Sequence, residues 1–281
     1  HRVIVTGRTL ALQGVERNLP SNLERVKILP MGDEEQAQWF EQWGRLVNAD
    51  PTVLQTMLNS ENLPEGVQEL AREPLLLYLL AAMHRDGELN LEMFEGADGA
   101  KSKVLIYQKT LDWVLTKQRP DWLNRDLTEF QTEALYRILA EAGLCVIQAG
   151  GECAAISMID ERLKTDDEAK ELLAAAQAQI KDNPLRNALA AFYLQPGRQG
   201  EGSVEFAHKS FSEFLCAERL KQAIADWTYK GRRNRFDVTD DDLHWQIYDL
   251  LGAPVLTEEI VEYLFELLQA SDEFEPVKLF E

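Results

Sequence analysis

Between Val204 and Leu220 the hydrophobic period of the chain changes once, from two to 3.6, and this change limits what the chain can fold into. Val204-Glu205-Phe206 alternates as a half-buried strand does. Beyond His208, the residues Phe211, Phe214 and Leu215 recur at helical spacing and are predicted to face a core. Ser210 and Glu213 stand three apart at the helix start, the spacing of a capping box. Upstream, Phe192-Tyr193-Leu194 reads as a second strand. The glycine-rich stretch 195–202 between the two predicts a hairpin that leads directly into a helix.

The remainder of the chain is read mainly as helix. Val3-Ile4-Val5 has the continuous apolar character of a strand buried on both faces, and residues 26–29 (Val26 to Leu29) read as a second short strand. Two parallel strands cannot form a stable sheet alone. Most of this α/β unit is therefore expected upstream of residue 1. Asp33 with Gln36 reads as a capping box, followed by a core face of Trp39, Phe40, Trp43, Leu46 and Val47. Asp50-Pro51 predicts a helix with proline in its first position, and Pro74 does the same for a fully apolar helix. Residues 96–102 end in Lys101-Ser102 but lack the spacing of a phosphate loop, so they read as a loop before a helix over 103–117. That helix turns Val104, Leu111, Val114 and Leu115 inward. Pro120 marks a boundary. Thr128 to Gln131 caps a helix carrying Phe130, Leu135, Ile138 and Leu139, expected to stop near Gly143. Short helices are expected over 156–163, 167–180 and 184–190, and amphipathic ones over 240–251 and 258–269. The acidic residues 272–281 read as a linker.

Composition narrows the function classes. The chain of 281 residues carries a formal charge of −19, which argues against a general nucleic-acid surface. The one concentrated basic run, 230–235, reads as a solvated loop. Cys145, Cys153 and Cys216 show no metal-ligand spacing and are expected to be reduced, mostly core thiols of a cytoplasmic protein. The longest apolar run, 74–83, is too short to span a bilayer. His208 stands just outside a helix start, where unpaired N–H groups and the positive end of the dipole attract anions. It is placed to donate to a phosphate. A histidine that only bonds backbone in a strand-to-helix turn fits the same pattern.

The segment Phe206-Ala207-His208-Lys209-Ser210-Phe211-Ser212-Glu213-Phe214-Leu215-Cys216-Ala217 resembles the F-x-H-x-S-F-x-E-F-x-A segment of NACHT proteins, members of the STAND class of signalling nucleoside triphosphatases. Val3 to Arg8 resembles the sensor-1 strand of that family, apolar residues followed by T-x-R. Leu70 to Leu80 resembles its G-x-P region, although Arg72 and Glu73 stand where glycine or asparagine is more usual. The three matches occur in the family's order and span nearly the whole chain.

The resemblance implies a mainly α chain of four parts. Residues 1–62 would be the C-terminal part of a nucleotide-binding α/β core of the P-loop, AAA+-like kind. Residues 63–122 would be a first helical domain, 123–228 a winged-helix domain, and 229–281 the start of a second helical domain. In that family the histidine contacts the β-phosphate of ADP, the proline packs on adenine, and the arginine points at the γ-phosphate end. Those roles would fall to His208, Pro74 and Arg8. The implied cofactor is ADP or ATP with Mg²⁺. The phosphate loop and the acidic residues for the metal would lie upstream, so this chain alone would not hydrolyse ATP, whereas the full-length protein would be a slow ATPase. The implied partners are the nucleotide, other copies of the module on activation, an N-terminal effector and a C-terminal sensor. Membrane and nucleic acid are not among them. Two other readings fit the residues: a helical interaction scaffold in which His208 is only structural, and a winged-helix DNA-binding module.

Overall fold

The computed structural model describes residues 26, 28–60, 63, 65–89, 91–97, 99–116, 132–151, 153–164, 170, 174, 194–196, 203–206, 208–228, 240–252 and 256–271. These are mainly helical. Among the described residues ten α-helices run in order, α1 (Asp33–Val47), α2 (Thr52–Leu58), α3 (Glu65–Leu70), α4 (Pro74–Arg85), α5 (Gly99–Thr116), α6 (Thr132–Gln148), α7 (Ile156–Leu163), α8 (Lys209–Thr228), α9 (Asp240–Leu251) and α10 (Glu258–Gln269), with a 3-10 helix at Leu91–Phe94 between α4 and α5. Three short strands, β1 (Ala154–Ala155), β2 (Leu194–Pro196) and β3 (Ser203–Phe206), form an antiparallel sheet with β3 in the middle.

The two strands read from the alternation pair antiparallel, with Leu194 opposite Phe206, but the first continues through Gln195 and Pro196, which were read as loop, and Pro196 lies opposite Val204. The third strand was not expected. Ala154 and Ala155 pair with Val204 and Ser203, so the segment before α7 is tied to the strand that leads into α8. The core-facing residues of α8 are as expected, since Phe211, Phe214 and Leu215 are all buried. Helix α8 packs along α6 on one side and α10 on another. Helix α5 packs against α3, α4 and α10 and touches α8. The boundaries of α7, α9 and α10 fall where the periodicity put them.

Several expectations are corrected. Residues 26 and 28–29 are not a strand: Val26, Ile28 and Leu29 are exposed, and no partner strand is described beside them to take up their backbone groups. At α1 the capping residue is Gly32, and Asp33 lies inside the first turn. Gln36 does not reach back to the helix start. Its amide donates to the carbonyl of Ala71 at 3.0 Å, fastening α1 to the end of α3. Phe40 and Trp43 are buried as expected, but Leu46 is exposed. Pro51 sits one position before α2, and the Asp50 carboxylate accepts from the Thr52 N–H at 2.9 Å. Helix α5 begins at Gly99, so Lys101 and Ser102 belong to it and not to a loop.

The correction at Gly143 has a clear cause. Helix α6 does not stop there but continues to Gln148. A Cβ on Gly143 would lie 2.6 Å from the Leu215 Cβ and 3.0 Å from the Cys216 backbone nitrogen. The glycine lets α8 approach α6 closely. The turn that ends α6 instead uses Gly150 and Gly151, whose φ values of 104° and 85° suit glycine.

Arg8, Pro120, the cap over 128–131, the helix predicted over 184–190, the basic run 230–235 and the end 272–281 lie outside the described residues. Of the helix predicted over 167–180, residues 170 and 174 alone are described, both as helix.

Candidate functional site

The start of α8 differs from a capping box in an informative way. The helix begins at Lys209, so Ser210 lies within its first turn. The His208 side chain takes the capping role: its Nδ1 accepts from the Ser210 backbone N–H at 3.3 Å. An Nδ1 that accepts holds no proton, so the neutral ring carries its N–H on Nε2. His208 is exposed. Glu213 does not reach back to the backbone. It is buried, and its carboxylate is engaged by Lys209 Nζ at 2.6 Å and by the Thr257 hydroxyl, which donates at 3.1 Å. Thr257 itself caps α10, where its hydroxyl accepts from the Ile260 N–H at 3.3 Å. The residue expected to cap α8 therefore connects it to α10.

Pro74 occupies the first position of α4 and is exposed, while Leu76, Leu77, Leu79 and Leu80 behind it are buried. Glu73 precedes it and pairs with Lys103 of α5 at 3.5 Å. The beginnings of α4 and α8 both meet α5, the first at Lys103 and the second at Tyr107. The Tyr107 ring packs on Phe211 and Phe214, each with centroids 5.5 Å away, and on Tyr263 of α10 at 5.9 Å. Burial pushes the Tyr107 hydroxyl up to about 12; hydrogen bonding with Ser210 opposes this and the charge of Glu73 adds to it. Burial also pushes Tyr263 up. Tyr107 thus stays protonated and can act as donor. His208 and Pro74 head two helices that α5 meets near their starts, α8 through Tyr107 on Phe211 and α4 through Lys103 on Glu73. Lys103 and Lys209 each already face a carboxylate.

A second polar cluster lies farther along α8. Glu141 of α6 is buried and receives Arg137 at 2.6 Å, Arg219 of α8 at 2.6 Å and Arg162 of α7 at 3.3 Å. Burial raises the Glu141 carboxyl, but Arg219 and Arg137 outweigh it and hold the group below the usual carboxylate range. On another face of α8, Glu218 accepts from Gln108 at 3.3 Å and has Lys221 at 3.8 Å. Here burial outweighs the attraction of Lys221, and the carboxyl is raised. Cys145 and Cys216 are buried, free and pushed up to about 12 by burial, so they are unreactive core thiols as expected. Among the described residues no group of His, Cys, Asp and Glu could hold a metal ion. No helix among them is long and apolar enough to cross a membrane.

Sequence reasoning missed Tyr107, the Glu213 to Thr257 link and the arginines around Glu141. The last had a signal. Glu141 interrupts the apolar run Ile138 to Ile147, and a charge buried there needs partners. Which arginines supply them is a matter of tertiary structure.

No protein-family model matches this chain, and no curated protein or solved structure is significantly similar to it. The class that its fold defines is a mainly helical protein in which one helix, α8, follows an antiparallel strand and forms the centre of the packing.

Proposed function

We propose that this chain is the regulatory half of a STAND-type signalling ATPase of the NACHT kind, in which an adenine nucleotide between the domains switches a closed monomer to an open oligomer. The observation that carries the reading is that one helix, α5, meets two helix starts, the one headed by Pro74 through the Glu73–Lys103 pair and the one headed by His208 through Tyr107 on Phe211. With Nδ1 accepting at the capped start of α8, a neutral His208 ring would carry its proton on Nε2. A phosphate oxygen placed there would accept from the ring while backbone N–H groups and the helix dipole attract the same charge. Arg8 would complete the set from the sensor-1 strand.

In this reading 1–62 closes the nucleotide-binding core, 63–122 is the first helical domain, 123–228 the winged-helix domain and 229–281 the start of the second helical domain. The hairpin β2–β3 after a run of helices supports the winged-helix part. The contacts of α8 with α5 and α10 give the proposed switch its three-way junction. Nucleotide with Mg²⁺ would be held mainly by an upstream phosphate loop, and the cell compartment would be the cytoplasm.

A ligand contact sets a switch only if it differs in strength between the two states. One charge-assisted hydrogen bond is worth about 1.5–3 kcal/mol, so its loss weakens binding by roughly tenfold to a hundredfold. In a protein carrying this chain together with a phosphate loop, His208→Ala should lower ADP affinity by that factor in calorimetry. Light scattering should show a shift toward larger particles. A variant that folds normally, binds ADP as the wild type does and stays monomeric would reduce His208 to a turn residue and remove the main support for the switch.

A further inference from the structure

Of the apolar residues of helix α9, Leu250 is buried, Leu243 and Ile247 are half-buried, and Trp245, Tyr248 and Leu251 are exposed. Among the described residues its polar contacts are concentrated at its C-terminal end. Arg162 of α7 meets the Asp249 carboxylate with both guanidinium nitrogens, at 2.7 and 3.1 Å, and also donates to the Asp249 carbonyl at 3.1 Å. The Gln148 amide of α6 donates to the Asp249 carbonyl at 2.7 Å and to that of Leu250 at 3.4 Å. Arg162 fixes Gln148 in turn, donating to its Oε1 at 2.8 Å. A guanidinium at the last carbonyls of a helix satisfies acceptors that the helix leaves open and complements its dipole. One further bond, from Trp227 Nε1 of α8 to Gln246 at 2.9 Å, steadies the middle of α9.

Arg162 is shared between this helix end and the buried Glu141. Glu141 retains Arg137 and Arg219, both at 2.6 Å, whether or not Arg162 is present. The ion pairs of the α6–α8 core therefore do not depend on α9. The Asp249 side chain, 64% exposed, can exchange its partner for water.

We infer that Arg162 is a latch that docks α9 reversibly onto a core able to stand without it. The device requires no ligand at His208 and is independent of the nucleotide reading. Hydrogen exchange of the whole chain, followed by mass spectrometry, tests it. In the wild type, 240–252 should exchange faster than 132–148 and 209–228. Asp249→Asn and Arg162→Gln should each speed exchange across 240–252 by about tenfold or more, the equivalent of one charge-assisted hydrogen bond, and leave the other two stretches unchanged. Raising salt from about 0.1 M to about 1 M should move the wild type in the same direction and the variants less. Unchanged exchange across 240–252 in both variants would overturn the latch. So would an equal acceleration in 132–148 and 209–228, since α9 would then belong to the core. If Arg162→Gln fails to fold, Asp249→Asn decides alone, because it leaves all three arginines on Glu141.

Discussion

Glu141 and Glu218 are both buried carboxyls at α8, and their surroundings drive them in opposite directions. Glu141 faces three arginines and is lowered; its stabilising effect is present above the ordinary carboxylate range and is lost as pH falls through its folded pKa. Removing the carboxylate takes from the buried Arg219 the carboxylate it faces at 2.6 Å, in a site from which water is largely excluded. Glu141→Gln should therefore cost about 3–5 kcal/mol in urea denaturation. A cost below about 1 kcal/mol would show that the arginines find other partners. Glu218 is raised, so the folded protein binds its proton more tightly than the unfolded chain. Its contribution is complete below the unfolded pKa and is lost as pH rises through the folded one. Glu218→Gln should thus be more stable than wild type above neutrality, and the difference should vanish below the carboxylate range. A gap that does not change with pH would contradict the assigned burial.

At the scale of elements, the contact between α6 and α8 is set by Gly143. The backbone of Leu215 and Cys216 lies where a side chain would go and cannot be turned aside as a flexible chain end can. Gly143→Ala should destabilise by about 1–3 kcal/mol despite the better helix propensity of alanine. Thermal unfolding would show it, and a neutral or stabilising result would mean that α6 and α8 are farther apart than described. The same glycine shows what the sequence could and could not tell. The strand-to-helix change at 203–215 was legible because it is a local period, and so were α7, α9 and α10. Gly143 read as a helix end because a glycine that stops a helix and one that admits a neighbouring helix look alike in one dimension. The capping box at Ser210 failed for a related reason. Glu213 had the right spacing, but burial assigned it to Lys209 and to Thr257, which lies 44 residues away. Pro74 and His208 could be singled out from the chain, while Tyr107, which packs against the start of α8, could not. Its role rests on contacts with α8 and α10 that no local pattern encodes.

At the scale of the whole molecule, α8 joins the strand before it, α6 beside it, and α5 and α10 across it. A change at its first turn is therefore felt in several elements at once. Glu213, one turn from His208, already bonds the cap of α10, so the start of α8 and the seating of α10 share one helix turn. The proposed switch depends on a nucleotide being there. The most direct measurement is to purify a protein that carries this chain together with the proposed phosphate loop, denature it, and identify what is released. Stoichiometric ADP from the wild type, and much less from a folded His208→Ala variant, is the predicted result. A wild-type protein that releases no nucleotide, and gives no heat when ADP is titrated into it, would contradict the account.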